Sequence, residues 1–158
     1  MKRSDLLPFL AALFLFAPGV ALAHATLESS EPAPDATLTQ PPAAVRLSFS
    51  EEVELDFSLF KVYQLDVAGV DLAADNAWQR LNGLAGALVS DVLDRRDDAD
   101  ARADAGLTNA ERRAKEVTIG LRDELAPGVY VVMWRILSID THGTQGFLVF
   151  RYAPPATP

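Results

Sequence analysis

The chain has 158 residues, 49% of them hydrophobic and 23% charged, the composition of one globular domain with one core. A net charge of −8 and a pI near 4.6 argue against nucleic acid as a partner, since phosphate binding needs a basic patch, and suit a chain that attracts cations. With no cysteine, disulfides, thiolate metal sites and cysteine nucleophiles are excluded.

Residues 1–23 read as a cleavable secretory signal. Lys2 and Arg3 form a positive start, Leu6 to Phe16 an apolar core, and Ala21-Leu22-Ala23 the small-x-small cleavage pattern. The apolar run is shorter than the roughly 20 residues a spanning helix needs, so no retained membrane anchor is expected. Cleavage after Ala23 makes His24 the first residue of the exported protein. An N-terminal histidine can chelate a metal through its α-amine and ring Nδ1 together, and the amine exists only after cleavage.

The exported chain then reads in order as a β protein with one interruption. Residues 24–43, with Pro32, Pro34, Pro41 and Pro42, form an edge strand and an extended loop, because proline cannot donate to a central ladder. Val45 to Phe49 alternates as a half-buried strand ended by Ser50-Glu51-Glu52, Phe57 to Tyr63 is the next strand, and Val67 to Leu72 continues it after a turn. In the segment 74–116, Trp78, Leu81, Ala85, Leu88 and Val92 recur at helical spacing, predicting an amphipathic helix from near Asn76. The mixed charges from Asp94 to Arg102 read as a solvated helix face or a mobile link. Thr108-Asn109-Ala110-Glu111 has the capping-box pattern, predicting a short second helix through Lys115. Strands resume at Val117 to Leu121, Val129 to Leu137 and Gly146 to Tyr152, before a frayed tail, 154–158. The fold expected is all-β, a small antiparallel sandwich or barrel with a helical insertion at about 74–116.

Between the last two strands lies Ser138-Ile139-Asp140-Thr141-His142-Gly143. On extended backbone Asp140 and His142, two residues apart, point to the same side and can meet one ligand. Asp-x-His is a weak signal alone, since a loop histidine is usually solvated and an aspartate there often serves an Asx-turn. The chain's other histidine is His24. Two imidazoles, one amine and the Asp140 carboxylate make a nitrogen-rich donor set suited to Cu(II), with Zn(II) able to take the same donors tetrahedrally. Glu51 is either a solvated strand end or a further ligand or second-sphere acceptor. Met133, on a strand, reads as core.

Several of these stretches resemble the CopC copper-resistance family: His24-Ala25-Thr26-Leu27, Ser30 to Ala36, Leu47-Ser48-Phe49-Ser50-Glu51, and Pro127 to Arg135 leading into Ser138 to Gly143. The resemblance covers roughly 24–72 and 117–152. It implies a periplasmic Greek-key barrel, cupredoxin-like or immunoglobulin-like, that binds one Cu(II) per chain as carrier or buffer. It also implies metal ligation by His24, Asp140 and His142, with Glu51 as ligand or neighbour. An inner-membrane copper transport protein of the CopD type is the implied partner. The methionines of the Cu(I) site found in some members are missing here, so no such site is expected. The family pattern usually has Asp-Gly-His where this chain has Asp140-Thr141-His142, and threonine favours extended backbone where glycine allows positive φ.

Two other classes share these residues. An amine with two imidazoles is also the histidine brace of copper monooxygenases, although Asp140 would crowd their open position and only Trp78 and Trp134 could offer tryptophan platforms. A metal-independent interaction module would instead expose the Trp78–Val92 apolar face as a partner surface.

Overall fold

The computed structural model describes residues 25–139 and 141–155. The expected signal segment, His24 and Asp140 therefore lie outside the described residues, as do residues 156–158 of the expected tail. Among the described residues eight strands run in chain order: β1 (Leu27–Glu31), β2 (Thr37–Leu38), β3 (Ala44–Glu54), β4 (Leu59–Leu65), β5 (Asp104–Leu107), β6 (Arg113–Leu121), β7 (Gly128–Leu137) and β8 (Gly143–Tyr152). One helix, α1 (Ala77–Val92), lies between β4 and β5. One sheet has the order β1-β3-β6-β5, the other β2-β8-β7-β4. Among the described residues the pairings are antiparallel, as expected, apart from the two-residue β2–β8 contact, which is parallel. The β4 and β5 edges of the two sheets are joined by Ala103 N–H donating to the Val62 carbonyl (2.7 Å) and Val62 N–H to the Asp104 carboxylate (2.8 Å). The sandwich is thereby partly closed into a barrel.

Why β7 is apolar along its whole length follows from its two neighbours. Tyr130, Val132, Trp134 and Ile136 face the core between the sheets, with Val45, Leu47, Phe49 and Phe150. Val129, Val131 and Met133 face the opposite way and are covered by Leu81, Ala85, Val89 and Val92 of α1. A strand buried on both faces loses the polar alternation of a half-exposed one. The helix starts at Ala77, as its spacing predicts, and its apolar face packs on the sheet. That removes the exposed face on which the interaction-module reading depended.

The chain between β4 and β6 departs from expectation in three places. Residues 67–72 turn instead of continuing β4, because the Asp66 and Asp71 carboxylates accept the N–H groups of Ala68 and Ala73 (2.9 Å each) and bend the chain twice. No second helix forms at 108–115. Asn109 spends its amide on the opposite strand, donating to the Glu116 carbonyl (2.9 Å) and accepting from Thr118 N–H (2.8 Å). The capping-type residues thus close the β5–β6 hairpin, and β6 begins at Arg113. Nor is the charged run 94–102 wholly solvated. Asp98 is buried and accepts from Lys61 Nζ (2.5 Å) and Tyr63 O–H (2.7 Å). The same ammonium donates to the Val92 and Arg95 carbonyls (2.9 and 2.5 Å) at the helix C-terminus. Lys61 therefore fastens the end of α1 to β4.

Candidate metal centre

Three segments far apart in sequence meet at one end of the sandwich. The first is the start of the described chain. Ala25 is buried, and its carbonyl accepts a hydrogen bond from Thr144 Oγ1 (2.9 Å) at the beginning of β8. Thr26 exchanges two bonds with Ser50: its N–H donates to Ser50 Oγ (3.0 Å), and Ser50 N–H donates to its carbonyl (2.9 Å). The residue after His24 and the residue before Glu51 are thus held by the strands that carry the late loop and the β3 bulge.

The second segment is β3 itself. It runs to Glu54 rather than stopping at Ser50, by way of a large irregularity. Ser48 pairs with Glu116 and Val53 with Ala114, so five steps along β3 oppose two along β6. The excess arches Ser50 to Glu52 out of the ladder, as bulges do next to sites where a side chain must be re-aimed. Glu51 is half-buried. Its Oε1 is shielded from solvent and has no hydrogen-bond partner among the described residues. A carboxylate oxygen left so costs about 1–3 kcal/mol in a finished protein, and a cation is the partner that would satisfy it.

The third segment is the β7–β8 hairpin. Its strands pair without a break from Gly128 opposite Tyr152 to Leu137 opposite Gly143, leaving residues 138–142 as the connection. Ser138 N–H and Oγ both donate to the His142 carbonyl (3.0 Å each), and Thr141 N–H donates to the Ser138 carbonyl (2.9 Å). Thr141 has φ 71°. Thr141 is therefore not extended, so the condition under which Asp140 and His142 would point to the same side is not met at that residue. The turn demands a left-handed residue before β8, and threonine takes that conformation in spite of its branched Cβ. An isolated bridge between Val53 and Ser138 lays the β3 bulge against this turn. His142 is exposed at the tip.

Beneath the turn the packing is aromatic. Trp134 is buried edge-on to Phe49, ring centroids 6.1 Å apart. Opposite it, Gly146 leaves the space the indole occupies, since a Cβ there would lie 2.6 Å from Trp134 Cζ2. Met133 is fully buried beneath α1, as a core residue.

Among the described residues no group of three or more His, Asp or Glu side chains is close enough to hold a metal. The described ties connect the residue after His24 to β8 and to Ser50, and the β3 bulge to the turn before His142. Sequence reading missed the positioning residues Ser50, Ser138 and Thr144. Hydroxyl residues at strand ends look like ordinary β-sheet composition, and only the fold shows which chain segment each one ties.

The profile described as CopC domain matches residues 27–87 and 89–153. The chain belongs to the CopC family. It is 29% identical over 128 residues to protein YobA of Escherichia coli K12, covering 81% of this chain and 77% of that one. It is 26% identical over 151 residues to the copper transport protein CutJ of Bacillus subtilis, spanning 95% of this chain but 22% of that one. In structure it superposes on CopC from Methylosinus trichosporium OB3b with a TM-score of 0.54 at 21% identity, covering 85% of this chain and 99% of that one. PcoC, described as a methionine-rich copper resistance protein from Escherichia coli, gives 0.53 at 25% identity, covering 83% and 100%. This chain has two methionines in all, of which Met133 is sealed in the core.

Proposed function

We propose that the exported CopC-family chain, starting at His24, is a periplasmic carrier or buffer that binds one Cu(II). The ligands are the His24 amine and ring, Asp140 and His142, with Glu51 as a further ligand or close neighbour. The observation that carries this reading is the Thr144–Ala25 bond. It ties the residue bonded to His24 to the residue two places beyond His142. The shielded Glu51 oxygen beside these segments supports a cation at the same place, and the family's copper-resistance and copper-transport relatives support its being copper.

A carrier fits better than an oxygen-activating enzyme. Carboxylates from Asp140 and Glu51 fill and charge positions that oxygen would need open. Neither tryptophan offers a substrate platform, Trp134 being buried and Trp78 half-buried against the sheet. The chain's delivery partner is an inner-membrane copper transporter of the CopD type.

Copper titration of the exported protein, followed by EPR, tests the assignment. One Cu(II) per chain with a nitrogen-rich spectrum is expected, together with loss of affinity in His142→Ala. An unchanged affinity and spectrum in that variant would sink it, as would an exported chain whose mass shows residues 1–23 still attached.

A further inference from the structure

The largest exposed hydrophobic side chains next to this end of the sandwich are Phe57, 68% exposed, and Ile139, 50% exposed. They belong to segments in direct contact. Phe57 ends a 3-10 turn at Leu55–Phe57, and Ser58 Oγ, the next residue's hydroxyl, accepts the Leu137 N–H (3.1 Å), two residues before Ile139. The same hydroxyl donates to the Glu54 carbonyl (2.7 Å), so the turn is held rigidly against the root of the metal-site hairpin. Phe57 lines two clefts at once. One, of about 500 Å³, is walled by Arg95, Arg96 and Arg135. The other is bordered by Arg112 and Arg113. Five of the chain's 14 basic residues thus line the clefts beside one exposed phenyl ring, together with Glu54, Asp56 and Asp94, on a protein of net charge −8.

Two of these guanidiniums are held by exposed carboxylates, Arg112 by Asp56 (2.7 Å) and Arg135 by Asp94 (2.5 Å), and Arg113 by the less exposed Glu54 (2.5 Å). Such surface pairs are worth little and exchange easily for a partner's carboxylates. Arg96 has no ion-pair partner among the described residues. Arginines around an exposed aromatic are the composition of an interface centre.

We propose that Phe57, Ile139 and the surrounding arginines form a docking surface for an acidic protein segment carrying an apolar anchor residue. Its place beside the hairpin makes that segment part of the protein that exchanges copper with this chain, which rests on the carrier reading; the docking itself does not. Charge complementarity selects the occupant. An anionic bilayer is flat and would meet Asp56, Asp94 and the overall negative charge, whereas a peptide can place carboxylates only where the guanidiniums are.

The test uses the metal-free exported protein and the pentapeptide acetyl-Asp-Glu-Trp-Glu-Asp-amide, followed by amide chemical shifts. Perturbations confined to residues 54–58, 94–96, 112–113, 135 and 139 are expected, with binding weakened about tenfold or more in Phe57→Ser and in Arg96→Glu. Arg46→Glu, near the opposite end of β3 from Glu54, should bind as the parent does. Perturbations elsewhere, equal binding of the lysine-substituted peptide, or unchanged affinity in both variants would overturn the proposal. So would Phe57-dependent binding to phosphatidylglycerol vesicles without binding of the peptide. A second arm loads the protein with Cu(II) and times transfer to Gly-Gly-His peptides with acidic or neutral tails. Faster transfer to the acidic tail, abolished in Phe57→Ser, is expected, and equal rates would refute the exchange role. If the protein takes up no copper yet binds the pentapeptide at this surface, the carrier reading falls and the docking surface stands.

Discussion

Thr141 holds a backbone conformation that β-branched residues rarely adopt, at φ 71°. A left-handed residue other than glycine costs about 1–2 kcal/mol, and glycine returns part of that through its freer unfolded chain. Thr141→Gly should therefore raise stability by about 0.5–1 kcal/mol, read as a few degrees in Tm, with copper affinity retained because the turn is unchanged. A lower Tm would mean that the threonine side chain supports the turn by some other contact. Glu51 permits a sharper contrast. Replacing it with glutamine removes the charge of a half-buried carboxylate whose Oε1 has no hydrogen-bond partner among the described residues, so the metal-free protein should gain stability, by about 1 kcal/mol. If the carboxylate holds the ion or orients its ligands, the same change should weaken copper binding by about 10–100-fold. Opposite signs in denaturation and in copper titration mark a residue kept for binding. Loss of stability without loss of affinity would make Glu51 structural.

At the scale of the element, the insertion depends on the buried cluster of Lys61, Tyr63 and Asp98. Burial alone would push the Asp98 carboxyl up, but the hydrogen bonds from Lys61 and Tyr63 and the charges of Lys61 and Arg102 outweigh it and hold it below the ordinary carboxylate range. A depressed carboxyl contributes stability that is present above the unfolded value, about pH 4, and is lost as pH falls through the folded one. Burial, then the bond to Asp98, pushes the Tyr63 phenol up to about 12. That contribution is present below the unfolded value near pH 10 and fades as pH rises from 10 to 12. Asp98→Asn should cost about 3 kcal/mol near neutrality, because the Lys61 ammonium keeps its burial and loses its counter-charge. Urea unfolding across pH should also show a flatter acid limb in that variant, and an identical limb would take Asp98 out of the acid response. None of this cluster could be read from the sequence. Asp98 stands in a run of alternating charges whose commonest fate is solvent, and Lys61 looks like the polar face of a strand. Periodicity did locate α1 and the strands from Val129 to Leu137 and from Gly146 to Tyr152, because burial of one or both faces writes itself into spacing. It failed wherever polar side chains bind backbone across the chain, as at Asn109, Asp66 and Asp71.

Over the whole molecule, the candidate centre is assembled by topology. β1 pairs with β3, and the β7–β8 hairpin touches β3 through Val53 and Ser138, so the chain start, the bulge and the turn reach one end only when both sheets are closed. His24 and His142 stand 118 positions apart in a line of sequence, yet Thr144 and Ala25 share a hydrogen bond. The resemblance carried the proposed ligands; Ser50, Ser138 and Thr144, which tie the neighbouring segments, could not be distinguished until the fold was in place. A consequence is that copper affinity and fold stability separate at the chain start. Leaving Ala23 on the protein turns the His24 amine into an amide, removing one nitrogen donor and the chelate ring while leaving the Ala25, Thr26 and Thr144 contacts intact. The extended form should unfold at the same Tm without metal and bind copper at least about tenfold more weakly, which calorimetry of the two forms compares directly. The pH dependence should differ as well. Imidazoles and α-amines titrate near pH 6.5 and 8, so protons compete for both donor types, and affinity of the exported form should fall by more than about 100-fold between pH 7 and 5.5. Without the free amine one competing proton disappears and the slope becomes shallower. Two forms with the same slope would show that the amine of His24 is not a ligand.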